Sequence, residues 1–163
     1  NPRLIKGSYA GALGRPQFIS SSYRHYAVDF NNDDKVDLWS SNDDVIGSVA
    51  NYFSKHGWRT NQPVLSEISK GAENILLNES KKSYKPTTEY KKYQKKGIEA
   101  LNMIKPDEKL SLIARNEPDD KVFSFAHKNF YVITRYNRSR LYALAVHFLS
   151  VELRKAKTEM ERL

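Results

Sequence analysis

The 163-residue chain has the length of one domain, or of one domain with a small subdomain, and its 39% hydrophobic content is enough to bury a core. It contains no cysteine, which excludes disulfides and thiolate metal sites, and no apolar run near the roughly 18 residues of a membrane span. The net charge of +8 favours polyanionic partners: nucleic acid, acidic lipid headgroups, or a cell wall that bears peptide carboxylates.

The first 57 residues predict loops, short helices and one longer helix. Residues 1–22 are rich in Gly and Ser and predict loops and short helices, and residues 29–44 are dense in Asp and Asn and predict a loop. Asp43 or Asp44 can cap the helix that follows, and Gly57 can end it. The apolar stripe of this helix is Val45, Ile46, Val49, Ala50 and Phe53.

The remaining residues predict short strands flanked by helices. Residues 64–68 predict a strand, residues 69–86 a polar loop, and residues 110–114 and 122–126 a hairpin whose turn includes Asn116, Pro118, Asp119 and Asp120. Thr87 or Thr88 can cap a helix in which Tyr90, Tyr93, Gly97 and Leu101 share a face. A long helix is expected from about residue 139 to 162, with Leu141, Leu144, Ala145, Phe148 and Leu149 facing inward.

The acidic loop carries oxygen-bearing side chains at alternate positions. Asp29, Asn31 and Asp33 occupy loop positions 1, 3 and 5, and the backbone carbonyl of Lys35 occupies position 7. A hard cation needs six or more oxygen ligands, and this alternation follows the logic of an EF-hand loop. The pattern therefore predicts a structural calcium site.

Two positions of the same loop depart from the EF-hand pattern. Asp34 stands where a glycine is usual, and Ser40 cannot supply the bidentate ligand of position 12. Asp44 or Asp43, at the start of the next helix, would have to close the site. A solvated, Asx-rich turn without a metal is the alternative interpretation.

Lysines and tyrosines alternate between residues 81 and 96. Phosphate contacts from the lysines and stacking on Tyr84, Tyr90 and Tyr93 could bind single-stranded nucleic acid. Charge runs are usually solvated helix faces with the aromatic rings packed beneath, and no Walker, zinc-finger or RNP-type motif is present. We therefore expect no nucleic-acid partner, and no organic cofactor.

Four segments, in this order along the chain, together resemble one known family. They are GSYAGALG (7–14) with PQF (16–18); SSYRHYAVDF (21–30); IGSVANYF (46–53) with HGW (56–58); and NFYVITRYN (129–137) with YA (142–143). Their order and spacing are similar to those of the lytic murein transglycosylase B family, the membrane-bound lytic transglycosylase B type. The chain resembles the C-terminal part of such a protein.

The resemblance implies an α+β, mainly α fold. Residues 1–60 would be part of a lysozyme-like catalytic domain with the EF-hand-like loop, residues 61–128 a small strand-containing subdomain, and residues 129–163 a groove segment and C-terminal helix. The implied activity is cleavage of the bond between N-acetylmuramic acid and N-acetylglucosamine in peptidoglycan glycan strands, with formation of a 1,6-anhydro end. A periplasmic location follows, with an outer-membrane anchor in an N-terminal segment that this chain lacks.

The family uses one glutamic acid for the proton transfers, which must be neutral and therefore needs a raised pKa in a partly dry pocket. By the resemblance, this glutamate precedes the segment that begins at Gly7, and no glutamate occurs before Glu67. We expect the catalytic residue upstream of Asn1 and therefore expect this chain alone to be inactive. The alternative is a non-catalytic, calcium-stabilised glycan-binding module.

The resemblance also implies a set of substrate-binding residues. Ser8 and Gln17 would line the sugar subsites, and the opposite wall would comprise Tyr52, Tyr136, Asn137 and Tyr142. Aromatic faces stack on sugar rings, while Ser, Asn and Gln bond hydroxyl and acetamide groups. The alternative is a flexible glycine-rich turn beside tyrosines that belong to the core.

Overall fold

The computed structural model describes residues 7–118 and 120–162, and its elements fall into two compact units, Asn1–Gly57 and Trp58–Leu163. The first unit contains α1 (Ser20–Tyr26) and α2 (Asn42–Lys55). The second unit contains β1 (Leu65–Lys70), α3 (Glu73–Ser80), β2 (Thr88–Glu89), α4 (Tyr90–Gln94), β3 (Glu99–Ala100), β4 (Lys109–Asn116), β5 (Lys121–Ala126), α5 (Lys128–Tyr136) and α6 (Arg140–Met160).

This is the predicted α+β fold with more helix than strand. Residues 1–6 of the predicted N-terminal loops and Asp119 of the predicted turn lie outside the described residues. Among the helices described, none is both long and apolar enough to span a membrane. The separate subdomain predicted for residues 61–128 stays a prediction.

Helix α2 begins where the sequence predicted, but its cap and its buried face differ. The Ser41 hydroxyl accepts the Asp44 N–H at 3.2 Å and caps the helix, so neither Asp43 nor Asp44 is the cap. The helix buries Asp44, Gly47, Ser48 and Tyr52, whereas Ile46 of the predicted apolar stripe is 66% exposed.

Backbone groups of the preceding loop explain this choice of face. A Cβ at position 47 would lie 2.6 Å from the Phe30 side chain, so only glycine lets the loop approach α2 this closely. The Ser48 hydroxyl accepts the Val28 N–H at 3.0 Å. A polar face is buried because buried backbone N–H groups need hydrogen-bond acceptors.

The second unit is built on a five-stranded antiparallel sheet with the order β2-β4-β5-β1-β3. The hairpin formed by β4 and β5 confirms the sequence prediction, and Glu117 N–H donates to the Asp120 carbonyl at 2.8 Å in its turn. The strand predicted for residues 64–68 is also confirmed, as β1.

The helices that cover this sheet were predicted less well. Residues 69–86 were expected to form a loop, yet α3 lies within them and buries Leu76 in the core. The helix predicted after Thr88 is only α4, because Gly97 has φ +73 and reverses the chain, which leaves Leu101 59% exposed. Tyr90 and Tyr93 are buried as predicted, edge-on to Phe125 with ring centroids 5.5 and 5.2 Å away.

The buried carboxylate of Glu79 lies between two lysines. Lys82 and Lys96 place their ammonium nitrogens 2.9 and 2.5 Å from Glu79 Oε1. Burial opposes ionisation of Glu79, but the hydrogen bonds and charges of the two lysines outweigh it and hold the pKa of this carboxyl below its usual range.

Replacing Lys82 and Lys96 together by Met should destabilise the fold by about 1–3 kcal/mol near neutral pH, since Glu79 is left buried and unpaired. The native pKa of Glu79 is depressed, so the lysines stabilise the fold above the unfolded-state pKa. This contribution disappears as pH falls through the native value. Urea denaturation at about pH 7 and about pH 3 measures it. Exposed Lys81 and Lys95, both replaced by Met, provide the matched control, and equal losses in the two double variants would contradict the assignment.

Helix α6 has the predicted extent, but most of its predicted inward residues are exposed. Ser139 caps it by accepting the Tyr142 N–H at 3.2 Å. Only Ala143 and Leu144 are buried, whereas Leu141 is 76% and Leu149 is 61% exposed. The helix packs on α5 through its first turns, and from Glu152 onward its residues are exposed, so the amphipathic pattern does not mark the buried face.

The side-chain amide of Asn129 anchors the segment that precedes the sheet. Its Nδ2 donates to the carbonyls of Arg59 and Gln62 at 2.8 and 2.9 Å, and its Oδ1 accepts the Arg59 N–H at 2.8 Å. Asn129 is 1% exposed, so water cannot replace these three bonds.

Asn129→Ala should lower the free energy of unfolding by about 1–3 kcal/mol, because it leaves part-buried backbone groups of two residues without partners. Asn129→Asp should be at least as harmful, because a carboxylate cannot donate to the two carbonyls. Urea denaturation measures both, with exposed Asn78→Ala as the control. A loss near zero in Asn129→Ala would show that the anchor is dispensable.

Candidate glycan and metal sites

The acidic loop of the first unit is ordered by its own carboxylates. Asp29 accepts the N–H groups of Asp33 at 3.2 Å and Asp34 at 2.9 Å, and Asp33 accepts the Lys35 N–H at 3.0 Å. Asn32 and Asp34 have φ values of +60 and +65. Asp34 therefore adopts the left-handed conformation for which glycine is usual at this position, and Asx residues tolerate it better than most.

Asp44 joins this loop to the first turn of α2. Its side chain is fully buried, and its two oxygens accept the N–H groups of Phe30 and Asp37 at 2.9 and 2.8 Å. These bonds, that from Asp37 first, hold the pKa of Asp44 below its usual range. The hydroxyl and N–H of Ser40, followed by the Trp39 N–H, lower the pKa of Asp37 in the same way.

The donor set of this loop suits a hard cation, although its side chains serve backbone groups in the structure. Within residues 7–118 and 120–162, no three His, Cys, Asp or Glu side chains are grouped as metal ligands. Asp29, Asn31 and Asp33 nevertheless line one short loop, where Asn31 Nδ2 contacts Asp33 Oδ2 at 3.3 Å. Carboxylate, amide and carbonyl oxygens are the ligands that calcium prefers.

Ser8 and Gln17 lie in a glycine-containing double turn at the start of the first unit. Leu13 pairs with both Gly7 and Phe18, and the Ser8 hydroxyl accepts the Ala12 N–H at 3.1 Å. Gln17 is exposed and has φ +53, with its Nε2 donating to the Gly14 carbonyl at 2.8 Å. The segment is hydrogen-bonded and therefore more than a flexible turn.

Tyr52, also in the first unit, is an aromatic core residue by burial. It is 7% exposed and stacks on His56 with ring centroids 4.0 Å apart. Tyr26 lies edge-on at 4.8 Å, and Phe18 lies at 5.9 Å. A role for Tyr52 in contacting sugar stays a prediction.

The other three predicted residues come together at the junction of α5 and α6. Tyr136 ends α5, Asn137 follows it, and Tyr142 lies in the first turn of α6. The two tyrosine rings are nearly parallel, with an interplanar angle of 5° and centroids 6.4 Å apart. Asn137 is exposed, and its carbonyl accepts the Ser139 N–H at 2.7 Å. This junction therefore offers two aromatic rings and one amide to a ligand.

The lysine and tyrosine segment is arranged as a solvated face over the core. Tyr90 and Tyr93 are 5% and 3% exposed, so neither can stack on a base. Lys82 and Lys96 are paired with Glu79, and Lys91 is paired with Glu89 at 3.2 Å. Two of the three tyrosines are therefore unavailable for stacking, and the expectation of no nucleic-acid partner stays a prediction.

A hydrogen-bonded network in the second unit was not predicted from the sequence. His127 Nε2 lies 2.7 Å from the Ser66 hydroxyl, and His127 Nδ1 lies 2.7 Å from Glu108 Oε1. The histidine is 3% exposed, and Ser66 lies on a strand whose partner at that position is Phe125 of the core. The network joins the ends of β1, β4 and β5, and no local sequence signal connects residues that are 19 and 61 positions apart.

Comparison with known proteins identifies the family. The model of the family described as "Transglycosylase SLT domain" matches residues 1–151. The chain belongs to this family. The membrane-bound lytic murein transglycosylase B of Escherichia coli (strain K12) is 36% identical over 159 residues, which are 98% of this chain and 42% of that protein.

Solved transglycosylase structures share the fold. Soluble lytic transglycosylase SltB1 from Pseudomonas aeruginosa has 39% identity and a TM-score of 0.88, covering 97% of this chain and 52% of that chain. Escherichia coli Slt35, solved in complex with calcium, has 34% identity and a TM-score of 0.86, covering 97% and 49%. The chain thus spans about half the length of the relatives that it matches.

A structure of lower similarity has been solved as a complex. SltB3 from Pseudomonas aeruginosa, in complex with NAG-anhNAM-pentapeptide, has 30% identity and a TM-score of 0.75, covering 90% of this chain and 39% of that chain.

Proposed function

We propose that this chain is the glycan-holding part of a peptidoglycan lytic transglycosylase. The whole protein would cleave the MurNAc–GlcNAc bond and leave a 1,6-anhydro end. The observation that carries the proposal is the family match over residues 1–151, with structural similarity along nearly the whole chain to two lytic transglycosylases. A periplasmic location follows from the substrate, and a membrane anchor outside this chain is part of the same proposal.

The glycan contacts of this proposal come from exposed polar groups and half-buried rings. Gln17 Oε1 has no hydrogen-bond partner among the described residues, so it can accept from a sugar hydroxyl or acetamide N–H. Asn137 offers both a donor and an acceptor beside Tyr136 and Tyr142, whose faces can stack on sugar rings. Ser8 and Tyr52 complete the proposed set.

Ala substitution of Asn137 or of Gln17 should weaken binding of a soluble murein glycan oligosaccharide about three- to tenfold, the value of one or two hydrogen bonds. Calorimetric titration of this chain measures it, with Asn78→Ala and Gln94→Ala, both exposed and on other helices, as matched controls. Unchanged affinity in Asn137→Ala and Gln17→Ala would contradict the assignment.

Four glutamates of this chain have environments that do not suit the catalytic acid. Glu67, Glu73 and Glu99 are exposed, so none of them lies in the partly dry pocket that the reaction requires. Glu79 is the only buried glutamate among the described residues, and its two lysine partners lower its pKa and keep it ionised. The proposal therefore places the acid outside residues 7–162.

The purified chain should release no 1,6-anhydro muropeptides from isolated murein, because general acid assistance, worth about 10²–10⁴-fold, is missing. Mass spectrometry of the soluble products measures this, and a muramidase digest of the same murein is the positive control. Steady release that Glu→Gln substitution at a position of this chain abolishes would show that the acid lies within it.

We further propose that the acidic loop binds calcium through Asp29, Asn31, Asp33 and the Lys35 carbonyl. A carboxylate at the start of α2 would complete the site, and calcium would stabilise the loop without taking part in the reaction. Asp44 is committed to two backbone N–H groups, which favours exposed Asp43, although each Asp44 oxygen keeps a second lone pair. The calcium complex of Slt35 supports this proposal.

Calcium at a hundredfold excess over its dissociation constant should stabilise the first unit by about 2.7 kcal/mol relative to chelator. Asp29→Asn and Asp33→Asn should abolish the increase in melting temperature, whereas Lys35→Met should keep it, since only the backbone carbonyl of residue 35 binds the ion. Asp43→Asn should abolish the calcium-dependent increase without lowering the melting temperature of the calcium-free chain. If Asp44→Asn removes the calcium response and Asp43→Asn does not, Asp44 is the closing ligand. The absence of any calcium response in the parent chain would rule out the site.

The alternative candidate is a non-catalytic, calcium-stabilised glycan-binding module. One observation favours this alternative. The proposed glycan-binding residues and the acidic loop lie in this chain, whereas none of the four glutamates considered above suits the catalytic acid. Reading the gene product that surrounds this chain distinguishes the two, because only the transglycosylase requires a glutamate ahead of the segment that begins at Gly7.

A further inference from the structure

A cleft of about 810 Å³ in the second unit has a basic lining that the proposed glycan contacts do not use. Arg59 and Gln62 contribute from the segment that precedes the sheet, and Lys128 contributes from the start of α5. Lys105 and Lys109 lie on the opposite stretch of chain, before and at the start of β4. We call this the basic cleft.

The four basic side chains of the cleft are not neutralised by carboxylates. In the part of the chain that the structure describes, Arg59, Lys105, Lys109 and Lys128 form no salt bridge. Lysines elsewhere, such as Lys70, do, with Glu99 at 3.8 Å. Four cations in a concave surface concentrate anions because the protein walls focus their field.

The two acidic residues of the cleft offset this charge only partly. Glu108 Oε1 is hydrogen-bonded to His127 Nδ1 at 2.7 Å, so this oxygen already has a partner. Asp107, by contrast, forms no salt bridge among the described residues. The cleft therefore presents four positive groups and two carboxylates, one of which is hydrogen-bonded to His127. This lining suits a ligand that carries both acidic groups and N–H donors.

We propose that the basic cleft binds the carboxylates of the peptide stems that peptidoglycan glycan strands carry. This inference rests on the proposed function and adds a peptide-recognition site to it. A peptide fits better than nucleic acid because no aromatic side chain is among the described residues that line the cleft, so bases have no stacking surface there. A peptide can instead donate an amide or amino N–H to Asp107.

The cleft is fixed in place before any ligand arrives. The three hydrogen bonds of Asn129 hold the Arg59 and Gln62 backbone against α5, directly beside Lys128. The Glu108–His127–Ser66 network holds the facing wall. The backbone of the cleft therefore needs little ordering when a ligand binds, so weak charge contacts can still give measurable affinity.

The test compares two forms of one substrate. Murein glycan strands that carry their pentapeptides should bind this chain about three- to tenfold more tightly than strands whose peptides an amidase has removed. Lys105→Glu with Lys109→Glu should abolish this difference and leave the affinity for stripped strands unchanged. Lys81→Glu with Lys95→Glu, which makes the same charge change at the exposed lysines directly after α3 and α4, should preserve it.

Two results would overturn the proposal that the basic cleft binds peptide stems. One is a peptide-dependent gain that survives in Lys105→Glu with Lys109→Glu, and the other is an equal loss in the control pair. If no strand binds, the proposed function is wrong, and titration with the free pentapeptide then tests the basic cleft by itself. NMR shifts at the Lys128 and Asn129 amides that Lys105→Glu with Lys109→Glu abolishes support the site. The absence of these shifts rejects it. Inorganic phosphate or a DNA oligonucleotide that binds there when the pentapeptide does not would also reject it.

Discussion

One buried side-chain amide organises the second unit. Asn129 supplies two donors and one acceptor to the backbone of Arg59 and Gln62, and it does so from the first turn of α5 at 1% exposure. An aspartate lacks the donors, and an apolar residue lacks both kinds of group, so few side chains can replace it. These three bonds fix the positions of Arg59 and Gln62, in the segment that precedes β1, relative to the start of α5.

The first unit uses the same principle with a charged group. Asp44 is fully buried and accepts two backbone N–H groups, from Phe30 and Asp37, that lie on either side of the acidic loop. Gly47 supplies the close approach between this loop and α2. In both units, polar side chains rather than apolar contacts fix the segments that flank the proposed binding residues. A polar bond specifies one geometry, whereas apolar packing tolerates several.

In the proposed function, the glycan-binding residues lie in this chain and the catalytic acid lies outside it. The residues proposed to contact sugar, at the double turn and at the α5–α6 junction, need exposure and hydrogen-bonding capacity, and Gln17 and Asn137 have both. An acid catalyst needs the opposite environment, dry and without cationic neighbours. Glu79 is buried but lies between two lysines, so its environment favours the ionised form. The proposed function therefore assigns glycan affinity, and not acid catalysis, to this chain.

The sequence by itself determined the elements whose signals are local. Turn residues between two short segments predicted the β4–β5 hairpin, a short strand was predicted at β1, and the order of four motifs predicted the family. It failed where burial depends on distant partners: α3 was missed because its short stretch has a weak apolar pattern and is fixed by packing Leu76 on the sheet. The predicted stripe of α2 was wrong because loop N–H groups, not apolar neighbours, select its buried face.

Only the tertiary structure revealed the buried polar contacts and the basic cleft. Asn129 and Arg59 are 70 positions apart, and the cleft combines residues from three stretches of chain, so no spacing rule connects them. Hydrophobic periodicity reports which side of an element is apolar. It cannot report which backbone groups elsewhere lack partners, and that requirement decided which polar side chains this protein buries.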